Sequence, residues 1–255
     1  HQKRSYPAEL VRSFTSTKWW LDALLLASHL VGISMIYCGG MVLNDYLDRG
    51  VDAIERPSRP IPSKRVKPWQ AAAMAFGLLV LGFIVSGGWA APEIVNTQKS
   101  WNQFAPHLSV LLLLVAFVVV YNVVHQATVI GVVIMGLCRA LAFLVPAFLF
   151  VNEPFSAPLN AFWIFAPAVT LFLYTLAISI VARREVEHDA SAAQPRRFGL
   201  LPRKFGGPKT VMNMIAAIPL LDAVWLIVMG LWPASLFCVA CAGMTKLAHR
   251  KVAGS

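Results

Sequence analysis

Near the end of the first long apolar run, Asn44, Asp45, Asp48 and Asp52 follow the pattern N-D-x-x-D-x-x-x-D. Residues three or four apart share one face of a helix. Asn44, Asp48 and Asp52 are therefore expected to stack in a row, with Asp45 one step beside them. Carboxylates held that close repel one another and favour their protonated forms unless a cation neutralises them. Hard oxygen donors suit Mg2+, which keeps part of its water shell and bridges to substrate phosphates. The segment that follows, ERPSRPIPSKR, carries Arg56, Arg59, Lys64 and Arg65. Its prolines at 57, 60 and 62 oppose helix and stiffen the chain, and the planar fork of arginine matches phosphate oxygens. Metal-binding acids followed by cations at a membrane face are what ionisation of an allylic diphosphate requires. The departing diphosphate is stabilised while a carbocation forms in dry, apolar surroundings. The plain alternative is a solvated loop whose opposite charges pair with one another. The spacing, the asparagine and the R-P-x-R-P-I-P-S run together favour the chemical reading.

Positioning such a cluster falls to elements of a particular kind. The chain has 255 residues, 58% of them hydrophobic and only 13% charged, with a mean hydropathy of +0.65. A soluble domain carries about 25% charged residues, so a soluble fold is excluded. Seven apolar blocks stand out, at about 20–43, 69–90, 107–124, 127–151, 159–182, 211–230 and 231–247. Crossing a hydrocarbon core takes roughly 20 helical residues. The blocks lack period-2 alternation, so each is expected to be a transmembrane helix.

Charge is unevenly shared among the connections. Residues 44–68 and 183–209 are rich in Lys and Arg, whereas 91–106 and 152–158 hold only Lys99 between them. The positive-inside rule puts the basic loops on the cytoplasmic, or matrix or stromal, side. The net charge of +10 then follows from topology and anionic headgroups, and no nucleic-acid motif accompanies it. The first residue is His1, as expected of a processed, tagged or trimmed chain. The stretch behind it lacks the apolar core and cleavage site of a signal peptide. Cys238 and Cys241 form a C-x-x-C inside an apolar run, where thiols resist ionising; with Cys38 and Cys138 they are expected to be packing residues.

The N-D-x-x-D-x-x-x-D pattern with the following R-x-x-R-P-I-P-S resembles the first motif of the UbiA superfamily of intramembrane prenyltransferases. The form G-G-x-V-x-N-D, then E-R-P-x-R-P-I-P-S, is most similar to its EboC-like branch. The resemblance implies an all-α polytopic bundle making up one domain over residues 1–255. It also implies Mg2+-dependent transfer of an isoprenyl group from its diphosphate to an aromatic or other lipophilic acceptor. Asn44, Asp45, Asp48 and Asp52 would hold one metal, and Arg56, Arg59 and Lys64 the diphosphate. Partners would be the two substrates, membrane lipids and, for a protein acting within an assembly, other membrane subunits.

A second acidic motif of the family, D-x-x-x-D, has its counterpart in Glu185 and Asp189, which would ligate a second metal. Here Glu replaces the first Asp, and its longer side chain shifts the metal. Tyr121 matches the first position of a Y-x-x-x-K pattern, with His125 in place of Lys. Arg139 matches G-x-x-R-x-x-N, with Ala142 in place of Asn. Tyr121 and Arg139 are thereby candidate substrate contacts, and Asp222 is the alternative partner of Arg139. Tyr174 and Thr175 are expected to serve packing more than a cavity. The family has nine spans against the seven blocks counted, so a span is expected to be lost before Asn44 and another after Asp189. These departures keep two alternatives open: a non-catalytic subunit with this fold, and a terpene cyclase using the same metal chemistry without an acceptor.

Overall fold

The structure is a computed structural model. It describes residues 19–88, 101–124, 128–150, 158–191, 208–228 and 232–252. Within them the chain is helical and without strands: α1 Trp19–Leu47, α2 Arg49–Glu55, α3 Pro68–Gly87, α4 Trp101–Val124, α5 Thr128–Phe150, α6 Pro158–Ser191, α7 Pro208–Val228 and α8 Trp232–Val252. The seven apolar blocks correspond to α1 and α3–α8. Six of these are long and apolar enough to cross a membrane, and α8 has a shorter apolar stretch, Ser235–Ala248.

Boundaries depart from the apolar blocks where charge, not hydrophobicity, ends a block. The fifth block closes at Ala182, yet α6 continues to Ser191. Arg, Glu and Ala are good helix formers, and no glycine or proline interrupts the chain between Pro167 and Pro195. At α3 the start is sharply set. Pro68 occupies the first turn, where its missing N–H costs nothing, and the Gln70 side chain accepts the Lys67 N–H at 3.0 Å. Of the stretches where lost spans were expected, before Asn44 and after Asp189, residues 19–43 belong to α1 and 190–191 to the end of α6, while 1–18 and 192–207 lie outside the described residues.

The described residues form two compact units, one up to Ala168 and one from Val169 onward. In the first, α1 packs most extensively on α3, and α4 on α5, with α1 also meeting α4. Ile36 and Leu43 of α1, Ala75 and Leu79 of α3, Leu111 and Leu114 of α4 and Val145 of α5 make its core. Lipid is as apolar as these side chains, so close packing and not a hydrophobic drive must hold membrane helices together. Glycine provides it. A Cβ at Gly82 would stand 2.6 Å from the Gly32 carbonyl oxygen, and one at Gly40 2.7 Å from Val118 of α4. In the second unit α7 packs on α8. There the Tyr174 hydroxyl donates to the Met214 carbonyl at 2.9 Å, and Thr175, buried, donates to Leu171 at 2.8 Å. The first of these bonds links α6 to α7, and the second stays within α6.

Candidate active site

The acidic row survives a change of element. α1 ends at Leu47, Asp48 is a turn residue with φ −79° and ψ −2°, and α2 begins at Arg49. Yet backbone bonds of helical spacing run through: Asp48 N–H to Asn44 C=O, Asp52 N–H to Asp48 C=O and Arg56 N–H to Asp52 C=O, each 2.9 Å. The near-helical conformation of Asp48 keeps Asn44, Asp48 and Asp52 on one face. Asn44 Nδ2 donates to Asp48 Oδ2 at 2.8 Å, so the expected stacking is present in direct contact.

The proline-rich segment then folds back over this face. Arg59 N–H bonds to Arg56 C=O at 3.0 Å, Ser63 N–H to Arg59 C=O at 2.9 Å and Val66 N–H to Pro60 C=O at 3.1 Å. Arg65 secures the loop by donating from Nη2 to the Ser58 carbonyl at 2.6 Å and from Nε to Ser63 Oγ at 3.1 Å. Lys64 adopts φ 62°, a left-handed conformation that costs a side-chain-bearing residue roughly 1–2 kcal/mol.

The fold-back carries Arg59 onto the acids. One guanidinium nitrogen donates to Asp45 Oδ1 at 2.9 Å and to Asp52 Oδ2 at 2.7 Å. Asp52 is only 5% exposed, whereas the Asp45 side chain is 52% exposed. Arg59 is thus the counter-ion of a buried carboxylate. The hydrogen bond to Asp52 raises the Arg59 pKa, against some desolvation and with help from the charges of Asp52, Asp45 and Asp48. Arg49 is kept away from the cluster: it donates to the Tyr46 carbonyl at 2.7 Å and lies 4.4 Å from the centre of the Tyr46 ring.

The other expected contacts divide. Arg56 and Lys64 are exposed on the loop above the acids. Asn122, buried next to Tyr121 at the end of α4, approaches Gly40, one turn before Asn44; Tyr121 is therefore at the same end of the bundle. Arg139 is exposed about halfway along α5, and Asp222 belongs to the other unit. Glu185 and Asp189 share the last turns of α6, at helical spacing of four; their side chains lie outside the described residues, as does His125. Sequence reading gave Arg59 to a diphosphate and missed its grip on Asp45 and Asp52. The signal was present in opposite charges seven and fourteen residues apart, but only the turns decide which cation swings back.

The donors suit a hard cation held by one or two carboxylates together with water and a phosphate, the usual mode for Mg2+. Among the described residues no three Asp, Glu, His or Cys side chains form a ready metal cage; Arg59 stands between two of the acids.

The model of the UbiA prenyltransferase family matches residues 8–254. Three relatives similar to this chain are digeranylgeranylglyceryl phosphate synthases. That of Methanothrix thermoacetophila is 42% identical over 55 residues, 22% of this chain and 21% of the relative. That of Methanococcus maripaludis is 43% identical over 67 residues, 26% and 23% of the two chains. That of Saccharolobus solfataricus is 37% identical over 73 residues, 28% and 25%. The chain thus matches about a quarter or less of the length of these relatives. No solved structure matches.

Proposed function

Because the chain belongs to the UbiA prenyltransferase family, we propose that it transfers an isoprenyl group from a prenyl diphosphate to a lipophilic acceptor within the membrane. The observation that carries this reading is the single acidic face from Asn44 to Asp52, overlaid by a structured loop bearing Arg56, Arg59 and Lys64. A divalent metal, Mg2+ by its donor chemistry, would be held by Asp48 with Asn44, and by Asp45 and Asp52. It would supply charge that stabilises the leaving diphosphate.

This chain's own residues do the rest. Arg59 already holds a planar cation against Asp52, and an arriving phosphate offers its guanidinium a second set of oxygens. Arg56 and Lys64 add charge from the exposed side. Glu185 and Asp189 would serve a second metal, and Tyr121 and Arg139 would contact substrate. The reading takes residues 1–255 as one transmembrane domain, with the basic loops on the cytoplasmic, matrix or stromal side. The acceptor is aromatic or otherwise lipophilic; the name of the relatives adds a prenylated glyceryl phosphate to the acceptors worth assaying.

The test is transfer of radiolabelled prenyl diphosphate by the purified full chain with Mg2+, against both acceptor classes. Transfer that is abolished by Asp48→Ala and by Asp52→Ala is the expected result. Transfer unaffected by both substitutions would remove the site. One observation favours a second reading, a non-catalytic subunit of a membrane assembly: Arg59 already bridges Asp45 and Asp52, where a metal would otherwise sit. Absence of any transfer in the same assay, with the fold intact, selects it.

A further inference from the structure

Resting on the prenyl-transfer reading, we propose that Arg139 binds an anionic group on the acceptor, so that this chain prenylates an acceptor carrying a carboxylate or a phosphate. Arg139 lies about midway along the α5 span Val129–Phe148 and is exposed there. A guanidinium at hydrocarbon depth is costly unless it meets an anion or a watered cavity. Among the described residues no carboxylate pairs with it. In its own unit the acids whose side chains are described are Asp45, Asp48, Asp52 and Glu55. All four lie in the last turn of α1 or after it.

Helix contacts fix the depth of Arg139 from both ends. At the acidic end, Gly40 of α1 is level with Asn122 of α4, since a Cβ at Gly40 would stand 3.8 Å from Asn122 Nδ2. Asn44 follows one helical turn beyond. At the opposite end, His107 Nδ1 lies 2.9 Å from the Val145 carbonyl oxygen. His29 of α1 meets His107 there, with Nε2 atoms 3.4 Å apart. Val145 is thus level with His107, which precedes Asn122 by fifteen residues, about 22 Å of helix. Arg139 stands six residues from Val145 toward the acidic end, about 9 Å. Its Cα therefore sits about 13 Å deeper than Asn122 and about 19 Å deeper than Asn44.

That depth decides which anion the guanidinium can meet. α5 starts at the acidic end, just after α4 closes at Val124. Helical side chains lean toward the start of their helix, so Arg139 leans toward the acids. Six bonds from Cα to the terminal nitrogens reach about 7 Å, which leaves roughly 12 Å between the guanidinium and the Asn44 level. A diphosphate seated against Asn44, Asp48 and Asp52 is out of its range. The gap instead fits the reacting part of an acceptor, whose nucleophilic atom must approach the allylic carbon beside the diphosphate. Transfer breaks the allylic C–O bond, and diphosphate leaves with the electron pair. The same carbon bonds to the acceptor, whose displaced proton passes to water. An anion on the far side of the acceptor meets Arg139, whose planar fork donates paired hydrogen bonds to a carboxylate or phosphate. A neutral acceptor leaves the guanidinium unmatched.

Matched acceptors separate charge from shape. Transfer from radiolabelled geranylgeranyl diphosphate with Mg2+ is measured for the full chain on 4-hydroxybenzoate against its methyl ester. A second pair sets geranylgeranylglyceryl phosphate against geranylgeranylglycerol. The anionic member of at least one pair should win by roughly 10- to 100-fold in kcat/KM. Arg139→Gln should collapse that preference through the acceptor KM, with a far smaller shift in half-saturating prenyl diphosphate. Arg139→Lys should keep part of it, and serves in place of a glutamine variant that does not fold. Wild type without an anion preference, or an equal loss on both members in Arg139→Gln, overturns the anion site while the transfer itself upholds the enzymatic reading. Binding is read separately, as the rise in thermal midpoint that each acceptor gives in detergent. Anion-selective binding without transfer supports the site and overturns the enzymatic reading; absence of both overturns both. Non-additive destabilisation by Arg139→Gln and Asp222→Asn, without acceptor, would reveal a structural ion pair and also overturn the anion site.

Discussion

The Arg59 guanidinium donates to Asp52 at 2.7 Å, and this bond joins the most buried acid of the cluster to the middle of a loop that sequence reading had given to a diphosphate. A carboxylate that is 5% exposed without such a partner would leave a charge buried and unpaired. The loop's position and the pairing of that buried acid are thus one structural fact.

Removing that partner should loosen the loop before anything else. Arg59→Ala is expected to speed limited proteolysis between residues 56 and 67 relative to wild type, and to raise the prenyl diphosphate concentration needed for half-maximal transfer. Arg59→Lys should restore part of the protection, since a point charge replaces the fork but not its geometry. Unchanged cleavage in Arg59→Ala would show that the turns hold themselves.

Neutralising the acids separates charge from shape. Asp48→Asn and Asp52→Asn keep the volume and one hydrogen-bonding oxygen but lose the anion. Each is expected to lower kcat/KM by about 100-fold or more. Chelation should abolish transfer, and added Mg2+ should restore it in wild type. A variant that keeps full activity at low Mg2+ removes its residue from the metal site.

Lys64 combines a backbone cost with a charge. Lys64→Gly relieves the φ of 62° and is expected to recover about 1 kcal/mol of local stability, while weakening diphosphate binding through the lost cation. Lys64→Asn should keep most of the conformational relief. A midpoint that falls in both variants would mean that the ammonium has a structural partner.

Two glycines of α3 make a matched pair. At Gly82 a Cβ would stand 2.6 Å from the Gly32 carbonyl, whereas at Gly77 nothing among the described residues lies within 4 Å. Gly82→Ala is expected to destabilise by about 1–3 kcal/mol as the helices part. Gly77→Ala should be neutral or stabilising by up to about 1 kcal/mol. Thermal unfolding in detergent distinguishes them, and equal effects would contradict the close crossing.

Local periodicity made much of this legible. Spacing of four placed Asn44 against Asp48, and the apolar blocks marked α1 and α3–α8 because backbone groups in lipid must be satisfied within a helix. What stayed hidden depends on distant chain meeting distant chain. His29 and His107 are 78 residues apart, and in sequence each is a lone histidine in an apolar run. The return of Arg59 depends on how the turns from Arg56 to Val66 compound, which three prolines restrict but do not determine. The extension of α6 past Ala182 went unread because hydropathy reports where lipid ends, not where a helix does.

The contact of Gly32 with Gly82 has a consequence for where a hydrocarbon tail can go. A space too small for one methyl carbon cannot admit a methylene chain, so the seam between α1 and α3 is closed to an isoprenoid at that level. Any greasy substrate bound near the Asn44–Asp52 face must thread elsewhere, and the glycine seam acts as a wall that narrows its routes.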